Sequence, residues 1–421
     1  MHPPVLLTMP DYCGTLAAAR CLGKAGFPVW MAGDTAHAPA MHSRHVTKKL
    51  RCPPHTDTEA FLEWLLGVGK ANPGLVLYPT SDDLAWLQAA HATGLSKHFR
   101  LWAPDVTVYE RLLDKHQLLA ACARVGLGTP RTLSPTNEAE LAQAVREATL
   151  PVLLKQRTQV LSKTNHKGVL VKDRARLADE WRAFRRQNRH GDVLADRLPN
   201  ASEPLIQQYF VEGVSGSLQV SGFISRDGTL FVARAAKKLL QRPRTLGISL
   251  CLEATELDPA LALKIKALCL EVGYFGVFAI EFLQVGGQPL LIDFNPRYYH
   301  FMALDLARGM PLPLLTTLAA LGEDERLADA VAQAQHDPKT VDAFTYAFQF
   351  RELLVSQTLT GTMPASESLR WWRWARAHRH SLVDAVRDDD DRLPALVDDA
   401  WSAAMRLRHP RTFLTRVAFD R

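Results

Sequence analysis

The sequence predicts a mixed α/β and α+β fold: a parallel α/β unit first, antiparallel strands in the middle, and a mostly helical C-terminal region. Strand and helix signals alternate over residues 1–105, as they do in open α/β sheets. Long apolar segments joined by tight-turn dipeptides follow over residues 205–295, which favours antiparallel hairpins. From about residue 322 the composition shifts to Ala, Arg, Asp and Trp.

The bulk composition is that of a globular chain long enough for two or three domains. Of its 421 residues, 47% are hydrophobic and 22% are charged, and no apolar run is long enough to cross a bilayer. The N-terminus lacks the basic region and apolar stretch of a signal peptide. The formal net charge of +6 contains no long basic block, which favours small anionic ligands over nucleic acid. We therefore expect a cytoplasmic protein that binds neither nucleic acid nor membrane.

The six cysteines predict neither a zinc site nor a disulfide framework. They are scattered along the chain, and no two of them form a CxxC pair. We expect all six to be reduced thiols.

Short apolar segments predict the strands of the N-terminal sheet. Residues 5–8, 29–32 and 75–78 have the character of buried strands, and residues 15–25 have the spacing of a helix between the first two. This alternation is the basis for the open α/β unit.

Aspartates follow two of these strands, where a doubly wound fold would place a ligand. Asp11 follows the first strand, and Asp82 and Asp83 precede a helix that is predicted to begin near Leu84. Because aspartate is also a common helix cap, capping is the favoured interpretation for all three. Ligand contact stays open as the alternative.

The next region predicts two helices and a cationic hairpin. Residues 109–125 and 137–148 have helical spacing, and residues 152–155 and 169–171 are apolar strands. The loop between those strands contains Arg157, Lys163, Lys167 and Gly168. A cationic, glycine-containing loop between two strands suits phosphate oxygens, whereas the simpler alternative is a solvated hairpin tip.

Residues 275–297 predict a hairpin that carries two carboxylates. Gly286 and Gly287 separate two apolar strands, residues 278–285 and 289–294, in which Glu281 and Asp293 are the only charges. A carboxylate in an apolar strand is costly to bury unless it is paired or bound to a metal ion. A cation between the two carboxylates is therefore the economical explanation, with a buried Asp–Arg pair as the alternative.

The strand register decides whether the two carboxylates meet. A two-residue turn would leave Glu281 and Asp293 on opposite faces, whereas a three-residue turn, or an equivalent bulge, sets them opposite each other. We predict the second arrangement. Asn295 and Arg297 follow Asp293 at steps of two, so they share its face if the strand continues. Oxygen ligands of this kind favour Mg²⁺ over zinc.

The remaining segments predict further elements around this hairpin. Strands are expected at residues 205–210, 217–225 and 229–239, and helices at residues 259–272 and 311–321. The Trp- and Arg-rich residues 370–380 are interpreted as a helix with one buried Trp face and outward arginines.

The order of these segments resembles the ATP-grasp superfamily, in particular its carboxylate-amine ligases (ATP-grasp carboligases). The segments that carry the resemblance are LLDKHQLLAACARVGLGTPRT at residues 112–132, PVLLKQR at 151–157, LIQQYFVEG at 205–213, and FAIEFL with LIDFNPR at 278–297. The resemblance covers residues 1 to about 320.

The resemblance implies a pre-ATP-grasp α/β domain at residues 1–107 and an ATP-grasp domain at residues 108–320. The lid subdomain would occupy about residues 130–207, next to an antiparallel catalytic subdomain. Residues 321–421 would form a mostly helical C-terminal region.

The resemblance also implies a nucleotide site. Lys115 and Lys155 resemble the lysines that hold the phosphates, and Lys167 and Gly168 lie in the lid loop over them. The hinge whose backbone meets the adenine is matched by Gln207, Gln208, Tyr209 and Phe210.

Metal and catalytic positions are implied in the same way. Glu281, Asp293 and Asn295 match the magnesium ligands, and Arg297 matches the arginine that steadies the acyl phosphate and the tetrahedral intermediate. The basic segment beside the γ-phosphate and the carboxylate substrate is matched by Lys237, Lys238 and Arg244.

Three positions depart from the family pattern. The lid sequence KTNHKG has few glycines, and Asp293 stands where many relatives have Glu. Ser215 occupies the position where a ribose-binding acid is common, and Glu212 is the implied substitute.

The implied activity is an ATP-dependent ligase that activates a carboxylate as an acyl phosphate and joins it to an amine of amino acid or small peptide type. The implied cofactors are ATP and Mg²⁺, with two ions expected and Mn²⁺ as an alternative metal. Rival hypotheses are a ligase with a thiol or another acceptor, a non-catalytic ATP-binding protein and an RNA-binding protein. A homodimer is left open.

Overall fold

The computed structural model of the protein describes residues 2–164, 168–210, 216–244 and 247–418. Within these residues the strands form sheets of five, four and seven members, with helices packed against them. The mixed α/β and α+β class predicted from the sequence is confirmed.

The N-terminal region is an open parallel sheet, as predicted. Its strand order is β3-β2-β1-β4-β5, and every neighbouring pair is parallel. A 3-10 turn at Pro39–His42 lies between β2 and β3. The elements are β1 (Val5–Leu7), α1 (Cys13–Lys24), β2 (Val29–Gly33), β3 (Val46–Arg51), α2 (Thr58–Ala71), β4 (Leu75–Leu77), α3 (Asp82–Ala90), α4 (Ala92–Leu95) and β5 (Phe99–Leu101).

A small antiparallel sheet with the order β6-β9-β7-β8 follows two linking helices. Helices α7 and α8 cover one face of it, where Leu154, Trp181 and Ile206 share a buried apolar cluster. The elements are α5 (Val106–Leu113), α6 (Lys115–Arg124), β6 (Thr132–Leu133), α7 (Glu138–Glu147), β7 (Val152–Lys155), β8 (Gly168–Val171), α8 (Arg174–Gln187), α9 (Asp192–Arg197) and β9 (Leu205–Gln208).

The single helix predicted over residues 109–125 is wrong, because the structure has two helices that meet at Asp114. The Asp114 carboxylate accepts hydrogen bonds from the backbone N–H groups of His116 at 2.9 Å and Gln117 at 3.4 Å, which caps α6. It also accepts from Nε of Arg157 at 2.9 Å. The cap fixes Lys115 as the first residue of α6.

The large sheet has the order β14-β13-β10-β11-β12-β15-β16 and is antiparallel apart from the β15–β16 pair. One face packs on α12 and the other on α5. The elements that end with α12 are β10 (Ser217–Ile224), β11 (Phe231–Arg242), β12 (Ile248–Thr255), α10 (Pro259–Val272), β13 (Gly276–Val285), β14 (Gln288–Asn295), α11 (Met302–Ala307) and α12 (Leu312–Leu321).

The C-terminal region is mostly helical, and its two short strands extend the large sheet. Its elements are α13 (Asp324–Gln335), β15 (Ala343–Thr345), α14 (Ala347–Leu359), α15 (Ala365–Ala377), β16 (Leu382–Asp384), α16 (Leu393–Arg408), α17 (Pro410–Phe413) and a π-helical turn at Leu414–Ala418. The domain limits at residues 107 and 320 stay predictions.

A buried ion pair joins α1 to the segment that precedes α16. Nε of Arg20, on α1, donates to Asp391 Oδ2 at 2.9 Å, and its Nη2 donates to the Val386 carbonyl oxygen at 2.7 Å. Both side chains are at least nine-tenths buried. The C-terminal region is therefore packed against the first helix.

Helix α15 contains most of the Trp- and Arg-rich segment, and it has the predicted buried Trp face with outward arginines, while Trp372 lies on the exposed side. Trp371 is buried, whereas Arg370 and Arg373 are exposed. Over the described part of the chain, no helix combines the length and the apolar character that a membrane crossing requires.

Candidate active site

The turn of the β13–β14 hairpin has two residues, not three. Val285 pairs with Gln288 across Gly286 and Gly287. Their φ angles of 54° and 78° lie in the left-handed region, which glycine adopts at low cost. The predicted three-residue turn is therefore wrong.

The bulge that we gave as the equivalent of that turn is present. Phe282 pairs with Leu291 and Glu281 pairs with Asp293, so Ile292 lies between two paired residues of β14 without a partner on β13. The extra residue shifts the register by one. As predicted, Glu281 lies directly opposite Asp293.

Each of these carboxylates is paired with one lysine through one oxygen. Lys115, the first residue of α6, forms an ion pair with Oδ1 of Asp293. Lys238, on β11, forms one with Oε1 of Glu281, which also accepts from Ser217 Oγ at 3.1 Å. Both lysines are buried. Among the described residues, none donates to Oδ2 of Asp293 or Oε2 of Glu281.

Lys155 is half-buried beside these pairs. Its Nζ donates to the Ile292 carbonyl oxygen at 3.0 Å. Burial, followed by the nearby Lys115 ammonium, lowers the pKa of Lys155 to about 8. For Asp293 the balance differs: burial alone would raise the pKa, but the charges of Lys115 and Lys155 hold it below its ordinary value.

Arg297 uses all of its guanidinium donors. Nε and Nη2 bind the two carboxylate oxygens of Asp82 at 3.0 and 3.1 Å. Nη1 donates to the Tyr12 hydroxyl and to the Tyr298 carbonyl oxygen, both at 2.9 Å. Nη2 also donates to Oδ1 of Asn295 at 2.7 Å. An arginine has five N–H donors, so the guanidinium is held from every side.

The sequence analysis missed Asp82 and Tyr12 as partners of Arg297. Capping is the wrong interpretation of Asp82, because the side chain that caps α3 is Ser81, whose Oγ accepts from the Leu84 N–H at 3.2 Å. The signal that could have found Asp82 is its position at the carboxyl edge of the parallel sheet.

Capping is also wrong for the other two aspartates. Asp83 accepts from the backbone N–H of Leu161 at 2.7 Å. No side-chain hydrogen bond caps α1, whose N-cap residue is Tyr12 and not Asp11.

A cavity of about 300 Å³ lies over this face of the large sheet. The predicted site residues that line it are Lys155, Gln207, Gln208, Tyr209, Phe210, Lys238, Glu281, Asp293, Asn295 and Arg297. Tyr12, Gln241, Ser249, His300 and Phe301 line it as well. Lys115 reaches this group through its ion pair with Asp293.

Comparison with known proteins gives matches in structure but none in sequence. No family model matches the chain, and no curated protein does. Biotin carboxylase from Campylobacter jejuni, in its β,γ-ATP complex, is 15% identical with a TM-score of 0.60 over 76% of this chain and 71% of that one. N5-carboxyaminoimidazole ribonucleotide synthetase from Thermus thermophilus is 15% identical with a TM-score of 0.56 over 76% and 78%. L-amino acid ligase from Bacillus licheniformis is 13% identical with a TM-score of 0.55 over 76% and 74%.

These structural matches agree with the resemblance found in the sequence. The chain has the ATP-grasp fold. At this level of identity the ATP-grasp neighbours establish the architecture alone, and the roles of the site residues rest on the geometry of this chain.

The predicted hinge segment is held by backbone hydrogen bonds at the end of β9. Gln208 N–H donates to the Arg131 carbonyl oxygen at 2.8 Å, and Tyr209 N–H donates to that of Pro151 at 3.0 Å. Leu153, Leu283 and Ile292 supply apolar lining to the same cavity. A flat apolar ring of adenine type suits such a wall.

The structure does not bring every predicted residue to the cavity. Lys237 is exposed and lies on the opposite face of β11 from Lys238, because neighbouring side chains of a strand alternate. Arg244 forms an ion pair with Glu367 of α15 at 2.7 Å and does not line the cavity. Gly168 begins β8, where it pairs with Lys155.

Three further predicted positions, Lys167, Glu212 and Ser215, lie outside the described residues. Their implied contacts with the phosphates and the ribose stay predictions.

The donor set at the hairpin fits a hard divalent cation. In the described ranges no three His, Cys, Asp or Glu side chains form a group suited to a metal ion. The oxygen ligands that the hairpin can offer are the carboxylates of Glu281 and Asp293 and the amide of Asn295. Asn295 Nδ2 donates to the Ala279 carbonyl oxygen at 3.2 Å, which turns Oδ1 towards Arg297. An oxygen-only set with few protein ligands is typical of Mg²⁺, which keeps water and phosphate oxygens in its shell.

Proposed function

We propose that this protein is an ATP-dependent ligase that activates a carboxylate as an acyl phosphate and joins it to an amine. The observation that carries the proposal is the facing pair of Glu281 and Asp293, each held by one lysine through one oxygen, with a second oxygen that has no donor among the described residues. These groups lie on a cavity with a hinge at one wall, within an ATP-grasp fold.

The chemistry requires charge neutralisation and positioning. A carboxylate oxygen attacks the γ-phosphorus of ATP, the bond from that phosphorus to the bridging oxygen breaks, and ADP leaves. The amine nitrogen then attacks the acyl carbon, the bond to the phosphate oxygen breaks, and inorganic phosphate leaves while the amine loses a proton to solvent. Such steps depend on positioning and on electrostatic stabilisation more than on a protein nucleophile.

The residues of this chain divide these tasks among themselves. Lys155 and Lys238 are cations at the cavity wall and are suited to phosphate oxygens, with Lys115 close behind Asp293. Glu281 and Asp293, with Asn295, would hold Mg²⁺, which when bound would neutralise the phosphate oxygens. Arg297 holds the Asn295 amide in position and lies at the edge where the acyl group would form.

The structural neighbours support ATP as the nucleotide and an amino acid as a substrate class. The Campylobacter biotin carboxylase was solved as a β,γ-ATP complex, a 2-oxoglutarate carboxylase domain from Hydrogenobacter thermophilus was solved with MgADP and bicarbonate, and the Bacillus protein is named as an L-amino acid ligase. On this basis we propose ATP as the nucleotide and an amino acid as one substrate of this protein.

A carboxylate-dependent ADP-release assay tests the proposal. Purified protein is incubated with ATP, Mg²⁺ and pools of carboxylates and amines, and the products are identified by mass spectrometry. We expect ADP only when a carboxylate is present, and an amide only when an amine is added as well. A thioester or ester product in place of the amide would show that the acceptor is a thiol or a hydroxyl group and not an amine.

Asp293→Ala and Asp329→Ala form the matched pair for this assay. Asp329 is exposed on α13 and is not part of the cavity lining, so its variant should behave as wild type. Loss of ADP release in Asp293→Ala alone would support the site. Carboxylate-independent hydrolysis in wild type, or full turnover by Asp293→Ala, would refute it.

A further inference from the structure

The cavity has a charged end and an uncharged end. Glu281 and Asp293 belong to β13 and β14, whereas Ile248 and Ser249 of the cavity lining belong to β12. Strands β14 and β12 are separated by four strand-to-strand steps, which amounts to roughly 19 Å at about 4.8 Å per step. The nucleotide phosphates and the far part of a substrate can therefore occupy different ends.

His300 stands at the uncharged end among three aromatic rings from two parts of the chain. Its ring centroid lies 6.4 Å from that of Tyr12, 5.9 Å from Phe344 and 6.0 Å from Tyr346. Tyr12 comes from the N-terminal region and the other two rings from the C-terminal region. The residues that line the cavity here also include Gln241 and Phe301.

The imidazole of His300 has unused hydrogen-bonding capacity. Its Nε2 is shielded from water and has no hydrogen-bond partner within the described residues. Burial lowers the pKa of His300 to about 4, so the ring is neutral at physiological pH. A neutral imidazole offers one donor and one acceptor, and buried polar groups are normally paired.

No unpaired charge accompanies His300 on the described part of this wall. The nearby Arg297 directs its five N–H donors to Asp82, Tyr12, Tyr298 and Asn295. The other described lining residues here carry no charge and include Tyr12, Gln241, Gly247, Ile248, Ser249, Tyr299 and Phe301. A charged substituent would lose its hydration at this end without gaining a counter-charge.

The C-terminal region fixes the back of this wall. Phe344 lies on β15, and Tyr346 follows that strand and donates from its hydroxyl to Asp398 Oδ2 of α16 at 2.7 Å. Both rings are buried. The role of residues 321–421 at the site is therefore to hold the rings that surround His300.

We propose that the His300 end of the cavity is a specificity subsite for an uncharged aromatic or aliphatic substituent that carries one hydrogen-bonding atom for the His300 ring. The inference rests on the proposed ligase function for the chemistry at the other end of the cavity. The substituent belongs either to the carboxylate substrate or to the amine substrate, and the test separates the two.

Direct binding and turnover are measured on the full-length protein with matched probes. The amine arm compares tyramine, phenethylamine and agmatine, and the carboxylate arm compares 4-hydroxyphenylacetate, phenylacetate and glutarate. Calorimetry in the presence of MgADP gives Kd, and ADP release gives KM and kcat. We expect one arm to favour the hydroxyphenyl probe over the charged probe by about tenfold or more in Kd.

The variants His300→Phe and His300→Gln test whether the ring nitrogen is responsible. We expect His300→Phe to weaken the hydroxyphenyl probe by about tenfold in Kd and KM, with the phenyl probe and kcat changed less than about twofold. His300→Gln, which keeps a neutral polar group, should recover part of the affinity. The control His380→Phe, at an exposed histidine, should change nothing.

Equal affinity for charged and uncharged probes in both arms, or an unchanged selectivity in His300→Phe, would overturn the subsite. Failure of the ligase proposal has a different signature, because it abolishes carboxylate-dependent ADP release and leaves the probe Kd values intact. The calorimetric result decides on the subsite in either case.

Discussion

Two sets of ion pairs meet at the cavity, and they are built differently. The Lys115–Asp293 and Lys238–Glu281 pairs each use one carboxylate oxygen, so each carboxylate keeps a second oxygen. In the Arg297–Asp82 pair both carboxylate oxygens and every guanidinium donor are engaged. The first arrangement can add a ligand without losing its lysine, whereas the second holds one geometry. We infer that the two lysine–carboxylate pairs of the hairpin bind ligand, whereas the Arg297–Asp82 pair holds neighbouring groups in position.

The largest effect is expected from Asp293→Asn. The change keeps the shape of the side chain and removes the charge that faces Lys115 and the metal position. We expect kcat/KM for carboxylate-dependent ADP release to fall about 1000-fold, with the Mg²⁺ concentration for half-maximal rate raised. Steady-state assays over a Mg²⁺ series measure both.

Asp329→Asn is the control for that change and should match wild type. Circular dichroism and the melting temperature report whether Asp293→Asn stays folded. Wild-type turnover by a folded Asp293→Asn protein would contradict the inference that the hairpin pairs bind ligand.

A smaller loss, about tenfold to 100-fold in kcat, is expected from Asp82→Asn. This variant breaks the bidentate contact with Arg297 but leaves the hairpin carboxylates intact, so the Kd of MgATP should change less than about twofold. Calorimetry and turnover together measure the split. If MgATP affinity fell in parallel with kcat, Arg297 would belong to the nucleotide site and not to a positioning network.

The pH dependence of nucleotide binding should report Lys155. Its folded-state pKa, about 8, is below the ordinary value, so the ammonium is charged below that pH and loses its proton as the pH rises through it. A phosphate ligand prefers the charged form. We expect the Kd of MgATP to rise by up to about tenfold per pH unit above a pH of about 8.

Lys155→Met provides the comparison for the titration. Its affinity should be weak at all pH values and lack the inflection near the pKa of Lys155. Calorimetry over a pH series that extends to both sides of that pKa measures both proteins, and an inflection that persists in Lys155→Met would assign the titration to another group.

The smallest effect is expected from Gly287→Ala. The residue has a φ of 78°, so alanine costs about 1 kcal/mol of folding free energy, which lowers the melting temperature by about 2 °C in a chain of this size. Because the bulge at Ile292 and not the turn sets Glu281 opposite Asp293, kcat should be unchanged. A large loss of activity would show that the turn, and not the bulge, sets Glu281 opposite Asp293.

Local patterns predicted the parts of the fold whose determinants are close in sequence. The strand Val152–Lys155 and the helix Pro259–Val272 match the predicted limits, because their ends are marked by the chain itself. The facing of Glu281 and Asp293 followed from the cost of burying charge, an argument that holds whichever turn produces it. Strand Ile248–Thr255 was missed although its neighbours were found.

The parts that sequence could not give depend on distant contacts. Asp82 and Arg297 are 215 residues apart, and helix capping explained Asp82 equally well until the fold brought them together. The two adjacent lysines Lys237 and Lys238 could not be told apart without the register of β11. The rings around His300 come from separate regions of the chain, so the subsite cannot be predicted from any single segment.

The contact between Arg20 and Asp391 has a consequence for how the molecule is made. A ribosome releases α1 long before the segment around Asp391, so this ion pair and the outer strands β15 and β16 can form only after the residues between them have been synthesised. Until then β12 presents an unpaired edge to other nascent chains. Production of this protein should therefore be sensitive to translation rate and to chaperone supply, and a truncation that ends just before β15 should aggregate.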